Sequence, residues 1–178
     1  MIPVLETGRL VLRGFKPEDF DPFAAFYASE ASRFVGGPEQ RGIAWRRFAS
    51  YAGSWLLRGY GKFVVEDKAS GRTAGIVGPW YPEGWPEPEI SWTLLSEFEG
   101  RGIAFEAAGR SLLYAYDELG WKTAISCIAA GNDRSVKLAE RLGARREGDV
   151  EVKWLGVLQV YRHLPPEEFR QHVAGRLN

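Results

Sequence analysis

The chain has 178 residues, enough for one domain with a full hydrophobic core, and its 45% apolar and 13% aromatic content excludes a disordered sequence. Lys+Arg and Asp+Glu both number 23, so there is no global electrostatic case for nucleic acid or an anionic membrane. No apolar run approaches the ~20 residues that span a bilayer, and the early acid in Met1-Ile2-Pro3-Val4-Leu5-Glu6 does not suit a secretory signal. The single Cys127 cannot form an internal disulfide and fits a reducing compartment, so a cytoplasmic location is expected. With His163 and His172 the only histidines and no HExxH pattern, no metal site is expected.

Arg9 to Phe15 alternates at period two and predicts a half-buried strand. Pro17, Glu18 and Asp19 suit the first turn of a helix running to about Ser29. After the breaker Gly36-Gly37-Pro38, the spacing of Trp45, Phe48, Tyr51, Ala52 and Trp55 predicts a second helix over 40–57. Residues 62–66 and 73–78 read as strands joined by a hairpin turn, Asp67 to Arg72. Pro79 to Pro88 reads as a Pro- and aromatic-rich loop, in which Trp80, Tyr81 and Trp85 could wall a substrate. Trp45, Trp55, Trp92 and Trp121 read as core, Cys127 as packing and His163 as a strand-surface residue.

Residues 89–95 form a strand, 104–119 a helix and 123–128 a further strand. This βαβ order makes the two strands parallel with a right-handed crossover. A short helix, Asn132 to Leu142, ends at Gly143. A hairpin around Gly156 follows, and 165–178 is a terminal helical extension with Phe169, Val173 and Leu177 on one face. No composition shift divides the chain, so a single domain over 1–178 is expected, a mixed α+β sheet with helices on both faces.

The most informative stretch is Glu99-Gly100-Arg101-Gly102-Ile103-Ala104, a turn from a strand end into a helix start. Such a turn presents unpartnered N–H groups at the positive end of a helix dipole, a site suited to phosphate. Gly100 and Gly102 let a ligand approach the main chain closely. There is no GxxxxGK[ST], and the third glycine of the dinucleotide fingerprint is missing.

A second segment, Asn132, Ser135, Glu140, Leu142 and Gly143, follows the next strand, and the chain opens with Thr7-x-Arg9-Leu10-x-Leu12-Arg13. Together with Glu106-Ala107 after the glycine turn, these ordered motifs resemble the GNAT superfamily of acetyl-CoA-dependent N-acetyltransferases, over about Leu5 to Leu164. The closer resemblance is to the branch containing the ribosomal-protein N-terminal acetyltransferases. It implies a mostly antiparallel twisted sheet of six to seven strands with a splayed parallel central pair. It also implies an acetyl-CoA site: diphosphate on the amides of Glu99, Gly100, Arg101, Gly102, Ile103 and Ala104, with Arg101 paired to a phosphate. The pantetheine arm would lie along Thr93 and Leu94, with a bulge as one way of freeing their edge, and would be bonded by Asn132.

The resemblance further implies acetyl transfer to a primary amine, a protein N-terminus or a small cationic amine, by direct attack in a ternary complex. Only a neutral amine attacks the thioester, so one proton must be removed and another given to the leaving thiolate. Glu89, at the family's acidic strand position, is the candidate base and also faces the acceptor. Ser135 is the candidate donor, because the family's usual Tyr is Ala139 here, and is also expected among the coenzyme-binding residues. Glu83 and Glu87 beside the aromatic loop favour a cationic acceptor. Homodimers are common in this branch and are expected by the same resemblance. Ala139, together with an acid at Glu99, also leaves open a non-catalytic acyl-CoA-binding or sensing module on the same fold.

Overall fold

The computed structural model describes residues 1–177. Its eight strands are β1 (Leu5–Glu6), β2 (Leu10–Arg13), β3 (Phe63–Asp67), β4 (Arg72–Trp80), β5 (Glu89–Leu94), β6 (Ile125–Ala129), β7 (Arg145–Val152) and β8 (Gly156–Arg162). They form one sheet in the order β1-β2-β3-β4-β5-β6-β8-β7, antiparallel except between β5 and β6. The strand beyond the expected six to seven is β1, a two-residue pairing with β2 too short to carry a periodic signal.

Five α-helices connect and cover the sheet: α1 (Phe20–Tyr27), α2 (Arg41–Arg58), α3 (Ile103–Asp117), α4 (Asp133–Arg141) and α5 (Pro166–Val173). The α3 crossover between parallel β5 and β6 is buried on most of its circumference, from Phe105 and Ala108 to Tyr114 and Ala115, so it reads as apolar nearly all round. Neighbouring residues at the start of β3 show the two sides of the sheet. Phe63 packs edge-on against Tyr114 of α3, while the Lys62 ammonium lies against the ring of Tyr51 on α2. Phe169 and Val173 of α5 are buried, and Leu177 sits against Gly109 of α3.

Three expectations are corrected by packing. Trp45 is half exposed: the buried stripe of α2 is Ala44, Phe48 and Tyr51, and one residue along a helix turns about 100° away from such a stripe. Trp45 covers the edge of Phe20 instead. His163 is buried rather than on a strand surface, because it follows β8 into the interior and bonds back to Ala124. Trp80 ends β4 opposite Glu89 instead of opening a loop.

Gly75 of β4 is paired with Leu94 of β5. A Cβ there would stand 2.3 Å from the Thr93 carbonyl oxygen and 2.9 Å from the Leu94 Cα. Gly75→Ala is therefore expected to push β5 outward and destabilise the fold by about 1–3 kcal/mol, measured by denaturant unfolding.

Candidate active site

The centre of the site is where the parallel ladder stops. Ile125 N–H donates to the Pro88 carbonyl at 3.0 Å, and Glu89 opposite Ile125 is the one parallel β5–β6 register pair among the described residues. Beyond it, side chains replace main chain. Cys127 N–H donates to Glu89 Oε1 at 3.1 Å, and Ser126 Oγ donates to the Ile90 carbonyl at 2.6 Å. The strands then part around a small cavity of about 50 Å³ holding Glu89, Ser91, Ser126 and Cys127. It adjoins a cleft of about 400 Å³ that reaches Thr93, Leu94 and the glycine turn. Phe34, Val35, Trp92, Asn132 and Ser135 line both spaces.

The expected bulge is not what frees β5: its register with β4 runs without a break from Glu89 to Leu94. Leu95 N–H bonds to Ala74 on β4, so the two-residue alternation turns the Leu94 and Trp92 amides to the opposite edge, toward the cleft.

The turn has the shape the sequence asks for. Gly100 and Gly102 have φ of +72° and +77°, conformations that only glycine adopts without strain. None of the amides from Gly100 to Phe105 donates to a protein acceptor among the described residues, and they open the N-terminus of α3. Glu99 departs from expectation. Its N–H is bonded to Ser96 O at 3.3 Å, and its carboxylate is paired with Arg134, which draws that charge off the turn. Arg101 also departs: its guanidinium lies over the Phe98 ring, and the residue does not line the cleft.

A clamp braces the turn from behind. The buried Glu106 carboxylate accepts from Thr7 Oγ1, from the Arg9 N–H at 3.1 Å and from Arg9 Nε at 2.7 Å, while Arg9 Nη1 donates to Arg101 O at 2.9 Å. This explains why Thr7, Arg9 and Glu106 occur together with the glycines.

Asn132 caps α4 by accepting the Ser135 N–H at 3.3 Å, and it also lines the cleft. Ser135 Oγ accepts the Trp92 indole N–H at 3.2 Å, which leaves the hydroxyl proton free to be donated. Ala139 is fully buried beside Ile128, Ala144 and Tyr161, so its position faces the core and not the cleft.

Burial raises the Glu89 carboxyl to about 7, against the pull of the Lys62 charge, the Cys127 amide and the Trp85 indole. Its Oε2 has no partner, and neither does Trp85 Nε1, which bears on the carboxylate without closing a hydrogen bond. His163, lowered to about 3 by burial and by Arg162, is neutral. Because Ser126 Oγ spends its proton on Ile90, it must accept from His163 Nε2–H at 2.8 Å, and Nδ1 is left bare. Burial, then Glu89 and Glu87, push the Cys127 thiol well above its ordinary range, so it is an inert wall of the small cavity.

Trp80, Tyr81 and Trp85 line neither cavity. Trp80 packs on Tyr51, Tyr81 takes the Arg58 guanidinium, and Trp85 approaches Glu89. The acids of that loop have cationic neighbours: Glu87 binds Arg162 through both oxygens at 2.7 and 2.8 Å, and the exposed Glu83 lies 3.4 Å from Arg58. Residues not singled out from the sequence complete the walls, chiefly Phe34 and Val35 opposite the split and Arg134, Lys137 and Arg141 along α4. The i, i+3, i+7 spacing of those three cations was the available signal.

A turn of open amides beside a parted parallel pair, in this strand order, defines an acyl-transferase architecture. Residues 9–145 match the acetyltransferase (GNAT) domain family, and the chain belongs to that family, whose members use acetyl-CoA. A crystal structure of an acetyltransferase from Agrobacterium tumefaciens str. C58 is 32% identical, with a TM-score of 0.85 covering 92% of this chain and 95% of that one. A GnaT-family acetyltransferase from Bordetella pertussis is 28% identical, with a TM-score of 0.75 covering 91% and 99%. The Bacillus subtilis (strain 168) protein YdaF, named as a ribosomal N-acetyltransferase, is 38% identical over 60 residues, which are 34% of this chain and 33% of that protein. The resemblance to the ribosomal branch read from the motifs thus reappears in a relative, over about a third of its length.

A carboxyl whose folded value lies above its ordinary 4.5 binds its proton more tightly when folded. Its contribution to stability is full below about pH 4.5 and is lost as pH rises through about 7. Glu89→Gln is expected to match the parent in thermal unfolding at pH 4.5 and to exceed it by about 1–3 kcal/mol at pH 8.

Proposed function

We propose that the chain moves the acetyl group of acetyl-CoA to the α-amine of a polypeptide N-terminus by direct attack within a ternary complex. The observation that carries this reading is a pair of adjoining cavities with Trp92, Asn132 and Ser135 in their common wall, one reaching the open amides of the glycine turn and Leu94 and the other the buried carboxyl of Glu89. The cleft fits the coenzyme: unbonded amides and a helix N-terminus for the diphosphate, Lys137 and Arg134 at its rim, and a freed strand edge with Asn132 for the arm. Bound acetyl-CoA supplies the acetyl group in activated form, as a thioester.

Glu89 takes the proton of the incoming ammonium, through a water in the small cavity. A base near 7 is within about one unit of an α-amine near 8 but more than three units below a lysine near 10.4, which favours an N-terminus as acceptor. The Leu94 N–H faces the negative charge that develops on the acetyl oxygen. Ser135, held by Trp92, gives its free proton to the departing sulfur. Glu87, held through both oxygens by Arg162, is not free to receive a polycation. The naming of YdaF as a ribosomal N-acetyltransferase is in keeping with a macromolecular acceptor.

The test is thiol release from acetyl-CoA over a panel of peptides with free or blocked N-termini, alongside polyamines and free lysine. Turnover confined to free N-termini is expected, and turnover confined to polyamines would overturn the acceptor. Gly102→Glu puts a side chain in a left-handed position and a carboxylate beside the diphosphate. It should weaken coenzyme binding by calorimetry at least about 100-fold while circular dichroism shows a folded chain. Ser135→Ala should lower kcat about 10- to 100-fold with little change in coenzyme affinity.

A further inference from the structure

Lys62 is a buried cation that the acetyl-transfer scheme leaves unused. It is 3% exposed, immediately precedes β3 and forms no ion pair among the described residues. Its Nζ lies 4.1 Å from the Tyr51 ring centroid and 4.9 Å from that of Trp80, two rings packed edge-on to each other. Trp80 is the direct cross-strand partner of Glu89, so their side chains leave the sheet on the same face, the one Lys62 occupies. A buried charge is costly unless something nearby responds to it. Aromatic faces hold an ammonium but do not neutralise it.

The other groups around Glu89 carry no opposing charge. From β6 come the Cys127 amide and a thiol kept protonated, and from beyond β8 comes His163, which is neutral. Glu87 and Glu147 share the one Arg162, a cluster that keeps a net negative charge and so does not help hold Glu89 ionised. Trp85 offers only an N–H dipole. On α2, Arg47 is bound to Glu39, and between α1 and α2 lie the buried phenols Tyr27 and Tyr51. Burial favours the neutral form of Tyr51, but the nearby charges of Lys62 and Arg47 outweigh it and lower the phenol.

We propose that Lys62 is a positioning residue of the transfer site, its ammonium held between Tyr51 and Trp80 so as to counter the burial that favours the neutral Glu89 carboxyl and leave it ready to accept the acceptor's proton. This rests on Glu89 acting as the base. The interaction acts through space, with no hydrogen bond between the two side chains, so the lysine biases the carboxylate without occupying the oxygen that must receive the proton. Trp80, read from the sequence as a substrate wall, becomes one side of the lysine's slot.

The experiment is a carbon-13 NMR titration of the glutamate carboxyl resonances, with Glu89 assigned by its disappearance in Glu89→Gln, run beside the pH profile of kcat/KM. In Lys62→Met the Glu89 midpoint should rise by about one unit or more, and the acidic limb of kcat/KM should move up with it. Lys62→Arg should restore both to within about half a unit, which a purely structural role would not do. Should Lys62→Met fail to fold, Lys62→Gln keeps a polar end in the slot and takes its place. An unmoved Glu89 midpoint, with turnover lost in Glu89→Gln, overturns the role of Lys62 alone. A raised midpoint with turnover kept in Glu89→Gln overturns the base assignment and shows that Lys62 tunes a carboxyl the reaction does not need.

Discussion

The site depends on a substitution of side chain for main chain between β5 and β6. A parallel ladder would continue with the amide of Cys127 and the carbonyl of Ile90 bonded to the opposing backbone. Here the Glu89 carboxylate takes the amide and the Ser126 hydroxyl takes the carbonyl, so these two main-chain groups keep partners where the ladder stops. The sheet can therefore open within a closed core, and the chamber it opens already contains a carboxyl group.

That arrangement is expensive. Glu89 is fully desolvated with one oxygen unbonded, His163 has a bare ring nitrogen, and Lys62 is buried without an ion pair. Each opposes folding, and the surrounding core of α3 against β3, β4 and β5 offsets them. Orphaned buried polar atoms gather here: of the four such side-chain atoms among the described residues, Glu89 Oε2, His163 Nδ1 and Trp85 Nε1 all lie around the split.

Local chemistry made much of this legible. The glycine turn is readable because positive φ and close ligand approach both require glycine, and the two-residue and 3.6-residue periods place most strands and helices within a residue or two. What escaped reading depends on contacts distant in the chain. The Glu99 charge is drawn off by Arg134, 35 residues on, and Arg101 is taken by the Phe98 ring. Trp80 looked like a loop residue because Pro79 precedes it, yet β4 continues through it. His163 read as a surface residue because its burial comes from the way the chain turns inward after β8. Phe34 and Val35 carried no motif; they matter because a two-turn 3-10 segment before Gly36, Glu30–Val35, brings them to the wall of the split.

The clamp of Thr7 and Arg9 on Glu106 ties the cradle to residues nearly a hundred positions upstream. The amides that would grip the diphosphate are oriented only once the first strands have joined the sheet and α3 has docked, so affinity at this turn is a property of the assembled domain. By linkage, any ligand seated there stabilises the whole cooperative unit in proportion to the logarithm of its concentration over its dissociation constant. An unfolding curve followed at the far edge of the sheet, at β1 and β2, would therefore register occupancy of a cleft it never touches.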